Sequence, residues 1–202
     1  MSNVPTGHHA SDTAPQPAEV QVNVWDPLLR LLHWTLALGC IANLTILREV
    51  EPAHEVVGYV ILAAIAIRIL WGFAGSRHAR FSDFLTGPRT LVAYLGALMQ
   101  GKAPRYVGHN PAGALMMVAL VGLATICGVT GIMMEQDAFW GEEWVEEVHE
   151  TAANLILVMA IVHVLAALFE SWHHRENLIR AMITGRKRAA SGTDIDHAPP
   201  SD

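Results

Sequence analysis

Long apolar segments alternate with polar ones along the middle of the chain. Four of them, 28–47, 56–73, 111–134 and 151–169, are long enough to cross a hydrocarbon core, which takes about 20 helical residues. A fifth, 90–99, is too short to span and is predicted to be an interfacial helix. The pattern predicts an all-α integral membrane protein: a four-transmembrane-helix bundle with interfacial amphipathic helices.

The segments outside this region are polar and contain proline. Residues 1–23 lack the basic stretch and short apolar core of a signal peptide, and we expect them and residues 189–202 to be disordered tails. The membrane domain is therefore predicted over residues 24–188, and its first span is expected to serve as the insertion signal.

Composition agrees with a membrane protein and excludes several sites. Apolar residues make up 52% of the chain and charged residues only 16%, well below the roughly 25% of a soluble domain. No C-x-x-C-H occurs, which excludes covalent haem attachment, and no CxxC zinc pattern, nucleotide-binding glycine loop or H-E-x-x-H is present. We expect no nucleic-acid partner.

Charge is distributed unevenly between the two sides of the predicted bundle. Ten of the 13 lysines and arginines lie between the second and third spans or after the fourth, and the other two loops hold only Arg48. The positive-inside rule then predicts two cytoplasmic termini. The opposite side carries ten acidic residues, read either as a soluble rim or as a docking surface for a basic partner: Glu49, Glu51, Glu55, Glu135, Asp137, Glu142, Glu143, Glu146, Glu147 and Glu150.

Four histidines of the predicted spans fall at two matching depths. His149 and His163 are fourteen residues apart, which puts them on one helix face about 21 Å apart. His33 lies about five residues into the first span, at the depth of His163. His54 opens the second span, at the depth of His149. The sequence therefore predicts two histidine pairs that share one helix.

Two imidazoles from facing helices of a bundle favour haem iron as the ligand. A lone histidine at a helix end, such as His54 or His149, is more often an interfacial residue, but ionisable groups within spans are usually functional. Zinc would need a third or fourth ligand at each depth, whereas two histidines close both axial positions of a haem. Two such haems would carry electrons across much of the bilayer.

Two arginines are candidates for pairing with haem propionates. Arg68 follows His54 by fourteen residues and so shares its helix face, at the depth of His33 and His163. Arg30 precedes His33 by about one turn. Arginine matches carboxylates bidentately, although Arg30 has the alternative of snorkelling to lipid headgroups.

Seven motifs follow one another in the chain: VWDPLLRLLHW (24–34), HEVVGY (54–59), RILWGFAGSRHARF (68–81), GHNPAGALM (108–116), TG (130–131), HETAANLILVMAIVH (149–163) and NLIRAMITGRKR (177–188). In this order and spacing they resemble the bacterial cytochrome b561 family, which includes the b-type cytochrome subunits of nickel–iron hydrogenases. The resemblance covers about residues 22–188.

The resemblance implies a four-helix domain in the bacterial inner membrane that binds two haem b groups non-covalently. Its ligands would be His33, His54, His149 and His163, each haem taking two. It also implies electron exchange with the quinone pool. Partners in such a family are cytochromes c, hydrogenases, other dehydrogenase subunits or superoxide, and homodimer formation stays open.

We therefore expect a dihaem b-type cytochrome that transfers electrons across the inner membrane between quinone and a periplasmic redox partner such as a cytochrome c.

One alternative is a superoxide:quinone oxidoreductase, which the acidic side disfavours because it would repel the superoxide anion. Another is the haem-bearing membrane anchor of a hydrogenase or other dehydrogenase. The connection REVEP (48–52) is shorter than that of hydrogenase-type members. A metal or proton transporter is a fourth reading and predicts no haem.

The remaining histidines have weaker assignments. His109 precedes Asn110 and Pro111, an N-cap and first position typical of a helix start, with a propionate or quinone site as the alternative role. His78, His173 and His174 are expected to be lipid-facing or solvated near the cytoplasmic interface, with proton supply to quinone as the alternative. The quinone site is predicted on the cytoplasmic side, near Arg68, Arg77, His78 and Arg80.

Overall fold

The computed structural model describes residues 20–196. Residues 1–19 and 197–202, which hold most of both predicted tails, lie outside the described residues. A 3-10 turn covers Arg77–Ala79. The helices of the described part are α1 Pro27–Leu44, α2 Glu51–Ala74, α3 Phe81–Phe84, α4 Pro88–Met99, α5 Pro111–Met134, α6 Glu143–His173 and α7 Leu178–Thr184.

Four of these helices are long and apolar enough to cross a membrane: α1, α2, α5 and α6. The predicted all-α, four-span architecture is confirmed. The bounds differ most for α6, which has 31 residues and starts at Glu143, whereas the predicted span was 151–169. Its first turn carries Glu143 and Glu146, which favour a helix N-terminus because its dipole is positive there.

The four long helices form a bundle in which α5 packs on α6, α1 on α2, and α2 on α5. Ile61, Ile65, Ala124 and Ile156 make a buried cluster between α2, α5 and α6. Many apolar side chains of the same helices face outward and are exposed, including Leu38, Leu70, Val158 and Leu165. That distribution fits helices whose outer faces contact lipid.

The two ends of the described chain meet at one end of the bundle, which we call the basic end. Strand β1, Gln21–Asn23, pairs antiparallel with strand β2, Arg186–Arg188, and puts Val22 opposite Lys187. Beyond β2, the amide of Ile195 donates to the carbonyl of Arg105 (2.8 Å). The prediction that 1–23 and 189–202 are disordered tails is thus wrong for residues 20–23 and 189–196. These residues are held by backbone hydrogen bonds, which leave no pattern of apolar residues in the sequence.

Gly185 closes this strand pair. It ends α7 with a φ of 81°, in the left-handed region, and its carbonyl accepts hydrogen bonds from the amides of Val24 and Trp25. A Cβ at this position would lie 2.5 Å from the carbonyl oxygen of Trp25. Glycine is therefore required both by conformation and by contact.

Two side-chain caps fix the starts of α1 and α5. Asp26 accepts from the amide of Leu29 (2.8 Å), and its other oxygen accepts from Trp71 Nε1 (3.0 Å) and Ser76 Oγ. The start of α1 is thereby tied to the end of α2. Asn110 accepts from the amide of Gly113 (2.7 Å) with proline at the first helical position, so the predicted cap is confirmed.

Helix α4 corresponds to the apolar segment predicted at 90–99. It packs on α5, buries Tyr94 and leaves Val92 and Met99 exposed. With twelve residues it is too short to span, and its one-sided burial is typical of an interfacial helix.

Candidate functional site

The four histidines of the spans lie in two pairs, as their depths predicted. His33 of α1 and His163 of α6 have ring centroids 6.3 Å apart, and we call them the basic-end pair. His54 of α2 and His149 of α6 have centroids 6.2 Å apart and form the acidic-end pair. Helix α6 contributes one ring to each pair, fourteen residues apart.

Both centroid distances suit one metal ion between the two rings. A metal–imidazole nitrogen bond is about 2 Å long and the ring centre lies about 1 Å behind that nitrogen, so two imidazoles on opposite sides of an ion have centroids about 6 Å apart. Within residues 20–196, no group of three or more His, Cys, Asp or Glu side chains is arranged to hold a metal ion. Each pair thus offers two ligands, which suits haem iron rather than zinc.

The surroundings of His149 fix which ring nitrogen carries hydrogen. Its Nδ1 lies 2.9 Å from the carbonyl oxygen of Cys127 and 3.2 Å from Thr130 Oγ1. A carbonyl can only accept, so Nδ1 is the donor and Nε2 keeps its lone pair, as a metal ligand requires. A Cβ at Gly131 would lie 3.5 Å from His149 Cε1, so this ring fills the space beside α5.

Arg68 is a buried cation with its charge uncompensated by hydrogen bonds. It is 5% exposed, and its Nη1 and Nη2 atoms have no hydrogen-bond partner in the described part of the chain. Its guanidinium lies over the ring of Phe81, 5.2 Å from the centroid. Burying a charge without a hydrogen-bond partner costs free energy, and an anion bound at Nη1 and Nη2 would offset that cost. A haem propionate is such an anion.

Arg30, the other predicted propionate residue, lies against α7. Its Nη1 donates to the carbonyl of Ile183, and its guanidinium is close to Gly185. Its Nε is buried without a hydrogen-bond partner among residues 20–196. Arg30 therefore stabilises the α1–α7 contact, and its role toward a propionate stays a prediction.

His109 lies in an aromatic slot near the basic-end pair. The centroid of its ring lies 4.8 Å from that of Trp25 and 4.7 Å from that of Phe84. Its Nδ1 is buried with no hydrogen-bond partner in the described residues. Burial first, and then the charges of Arg68 and Lys187, lower the pKa of His109 to about 3. The ring is neutral at pH 7 and is available as a hydrogen-bonding group rather than a cation.

The other residues of the predicted quinone site are engaged within the protein. His78 is buried, with Nδ1 3.0 Å from Asp83 Oδ2, so the expectation of a lipid-facing or solvated ring is wrong. Arg77 pairs with Asp196 (3.0 Å), and Arg80 Nε donates to the carbonyl of Gly75 (2.8 Å). Of the four residues in that cluster, Arg68 is the one with buried guanidinium nitrogens that have no hydrogen-bond partner in the described residues.

Sequence reasoning missed a buried ionic cluster at the basic end. Arg105 is 4% exposed and makes a two-pronged contact with Glu176 (2.8 and 3.1 Å) and a third with Asp194 (2.7 Å). Lys187 is also buried, 3.5 Å from Glu176. In the sequence these cations belong to ordinary basic flanks, and the one local signal was a glutamate within the C-terminal basic segment.

Comparisons with known proteins show the family of this chain. The family model of prokaryotic cytochrome b561 matches residues 24–185. The chain is 24% identical to a probable Ni/Fe-hydrogenase B-type cytochrome subunit of Azotobacter vinelandii, over 83% of this chain and 88% of that protein. It is also 24% identical to the proteins of the same description from Cupriavidus necator (80% and 85%) and Rhodobacter capsulatus (82% and 81%).

A b-type cytochrome binds haem b without covalent attachment, which agrees with the lack of C-x-x-C-H. The matched region covers all four long helices, both histidine pairs, Arg68 and His109. This chain belongs to the prokaryotic cytochrome b561 family, as a multi-pass membrane b-type cytochrome.

Proposed function

We propose that this cytochrome carries electrons across the bacterial inner membrane, between quinone at the basic end and a periplasmic redox protein at the acidic end. The observation that carries the proposal is that α6 contributes one histidine to each of the two pairs. These two histidines, His149 and His163, are fourteen residues and so about 21 Å apart along the helix. Haem with histidine at both axial positions supplies one-electron transfer when bound. One haem b at each pair would divide the membrane crossing into short steps.

In this proposal each side chain has a defined task. His33 and His163 hold the haem of the basic end, and His54 and His149 hold the other. Arg68 binds a propionate through Nη1 and Nη2, which are buried and have no hydrogen-bond partner in the described chain. The carbonyl of Cys127 holds His149 in the tautomer that leaves Nε2 free.

The basic end is proposed to face the cytoplasm and to react with quinone. The positive-inside rule supports the orientation, since the basic flanks lie at this end. Quinone reduction takes up two electrons and two protons, and the titratable groups at this end, including His174, Glu176 and Lys187, suit a reaction that exchanges protons with water. His109 has a buried free nitrogen that could hydrogen-bond a quinone oxygen.

The acidic end is proposed to dock a basic redox partner such as a cytochrome c. Glu143, Glu146 and Glu147 are exposed there beside two exposed tryptophans, Trp140 and Trp144. Aromatic anchors within a charged surface favour protein docking. Arg48 lies 3.9 Å from Glu150 in an exposed ion pair, so this cation offers little attraction to superoxide.

Electron transfer in proteoliposomes tests the proposal. The haem-loaded full-length protein is reconstituted, and a quinol analogue and a soluble cytochrome c are supplied. We expect quinol-dependent cytochrome c reduction that slows as salt rises, and a slower rate at low salt when Glu143, Glu146 and Glu147 are all changed to glutamine. The control is Arg89→Gln, which removes a charge from an exposed residue of α4, away from the proposed docking surface. Absence of electron exchange with quinol would contradict the proposal.

A hydrogenase is the second candidate partner, because the similar proteins are described as probable Ni/Fe-hydrogenase B-type cytochrome subunits. The alignment with the Azotobacter vinelandii protein has 215 positions against 202 residues here, so that relative carries insertions within the aligned region. Here α1 ends at Leu44 and α2 begins at Glu51, which leaves a short connection at the acidic end. Co-purification from native membranes decides between the two: a nickel–iron hydrogenase would replace cytochrome c as the proposed partner.

A further inference from the structure

A small polar cavity lies at the basic end, beside the buried ionic cluster. It has a volume of about 40 Å³ and is lined by Arg105, Glu170, His174, Glu176 and Lys187, among others. One water needs about 10 to 15 Å³ of such space and two to four polar partners, so the cavity can hold water. Its named side chains include two nitrogen bases, His174 and Lys187, and two carboxylates that can accept hydrogen bonds from water, Glu170 and Glu176.

The outer part of this cavity is formed by Glu170 and His174 at the end of α6. Glu170 Oε2 lies 3.2 Å from His174 Nε2, and Glu170 Oε1 accepts a hydrogen bond from Tyr94 Oη (3.0 Å). The side chains of Glu170 and His174 are each 14% exposed, and the Nε2 atom of His174 is itself buried with no hydrogen-bond partner in the described residues. Burial lowers the pKa of His174, against the opposing charge of Glu170.

The inner part is formed by Glu176 and Lys187. Lys187 Nζ lies 3.5 Å from Glu176 Oε2 and donates to the carbonyl of Tyr106 (3.1 Å). The same ammonium lies 6.0 Å from the centroid of the Trp25 ring, and that ring lies 4.8 Å from the ring of His109, centroid to centroid. Lys187 thus connects the cavity to the surroundings of His109.

The charges around Lys187 leave it able to exchange a proton. Burial lowers its pKa to about 8, while Glu176 and Glu170 oppose that change and Arg105 adds to it. The pKa of His109 is lowered first by burial and then in part by the charge of Lys187, so His109 stays neutral. An arginine in the same position could not exchange a proton, because its pKa lies above about 12.

We propose that Glu170, His174, Glu176 and Lys187 form a proton path between water at the basic end and quinone bound beside His109. The inference rests on the proposed function, which supplies the quinone and the electrons. Reduction of one quinone to quinol takes two electrons, which bound haem would supply, and two protons, which enter through this path. Lys187 gives a proton to the quinone oxygen and regains one from cavity water that the Glu176 carboxylate holds beside it, and quinol oxidation runs the same steps in reverse.

Lys187→Arg separates this role from simple charge pairing. Arginine keeps the cation beside Glu176 but cannot release a proton, whereas Lys187→Met removes the charge as well. A proton path predicts that both variants slow quinone reduction by at least about tenfold, as loss of a proton-transfer group does. A purely ionic role predicts that Lys187→Arg retains the wild-type rate, and this result would overturn the proposal. Arg186→Met, in the exposed neighbour on β2, is the matched control.

The experiment uses the purified, haem-loaded full chain, chemically reduced and mixed with a water-soluble quinone analogue while a pH dye follows proton uptake. The wild-type rate is expected to fall as pH rises above about 8 and to slow in D₂O, and both dependences should be lost in the two Lys187 variants.

If those variants lose haem, Glu170→Gln decides, and an unchanged rate and isotope effect there would overturn the path. A wild-type protein that passes no electrons to quinone would overturn the proposed function and the path with it. Normal electron transfer that is indifferent to pH and D₂O would overturn the path alone.

Discussion

His149 donates its Nδ1 hydrogen to the carbonyl oxygen of Cys127, with 2.9 Å between the two atoms. The acceptor belongs to α5, which contributes no histidine to either pair. Helix α5 therefore orients the ring of His149, whose centroid lies 6.2 Å from that of His54 on α2. The Thr130 hydroxyl, 3.2 Å from the same Nδ1, adds a second contact from α5.

Thr130→Val should weaken haem binding at the acidic-end pair. Valine keeps the shape of the side chain but removes the hydroxyl beside His149, and loss of such an orienting contact typically costs at least about tenfold in metal affinity. Haem content after dilution, followed by absorbance, measures the change. Thr125→Val is the matched control, since that hydroxyl bonds to the Val121 carbonyl within its own helix. Equal behaviour of the two variants would show that Thr130 does not orient the ligand.

Arg68→Met should have opposite effects on the apo and haem-bound proteins. Removing a buried charge whose Nη1 and Nη2 have no hydrogen-bond partner in the described residues should raise the thermal midpoint of the apo protein, because desolvating that charge costs free energy. The same change should lower retention of haem at the basic-end pair, because the propionate loses its cation. Thermal unfolding with and without haem measures both effects, with exposed Arg89→Met as control. A lower apo midpoint would mean that Arg68 already has a partner in the protein.

Gly185→Ala should destabilise the joined ends of the chain. Alanine pays for the left-handed conformation and its Cβ meets the carbonyl oxygen of Trp25, which together should cost roughly 1 to 3 kcal/mol. Gly192→Ala is a close control, since Gly192 has a φ of 59° but open space around its Cβ position. Proteolysis of the basic end measures the difference. Equal cleavage of the two variants would exclude the contact with Trp25 as the cause.

Acid should weaken the ionic cluster through Glu176. Burial alone raises the pKa of this carboxyl, but the hydrogen bond from Arg105 and the charge of Lys187 outweigh it and hold the pKa below 4.5. A lowered folded-state pKa gives stability that is present above pH 4.5 and is lost as pH falls through the folded value. Thermal midpoints between pH 6 and 3 should therefore decline more steeply in the wild type than in Glu176→Gln. Parallel declines would contradict this assignment.

The spans and the histidine pairs could be predicted because both follow from helical period and length. A fourteen-residue spacing is close to four turns, so His149 and His163 share a face whatever else the fold does. The burial of Lys187 could not be predicted in this way. It depends on β2 pairing with β1, and those residues resemble polar tails and basic flanks until the two ends of the chain come together.

The same reason explains the other differences. His78 is buried with its Nδ1 3.0 Å from Asp83 Oδ2, a contact made by a loop whose sequence has no periodic signal. Arg30 contacts the carbonyl of Ile183, which is 153 residues away in the chain. Local spacing indicated its depth but not its partner.

Haem stoichiometry tests the central claim most directly. The purified full-length protein should contain two haem b groups with low-spin spectra, and His163→Ala and His149→Ala should each retain one, the second losing the haem of the acidic end. His173→Ala, on the same helix but outside both pairs, should retain two. Full haem content in His163→Ala, or no haem b in the wild type, would contradict the account.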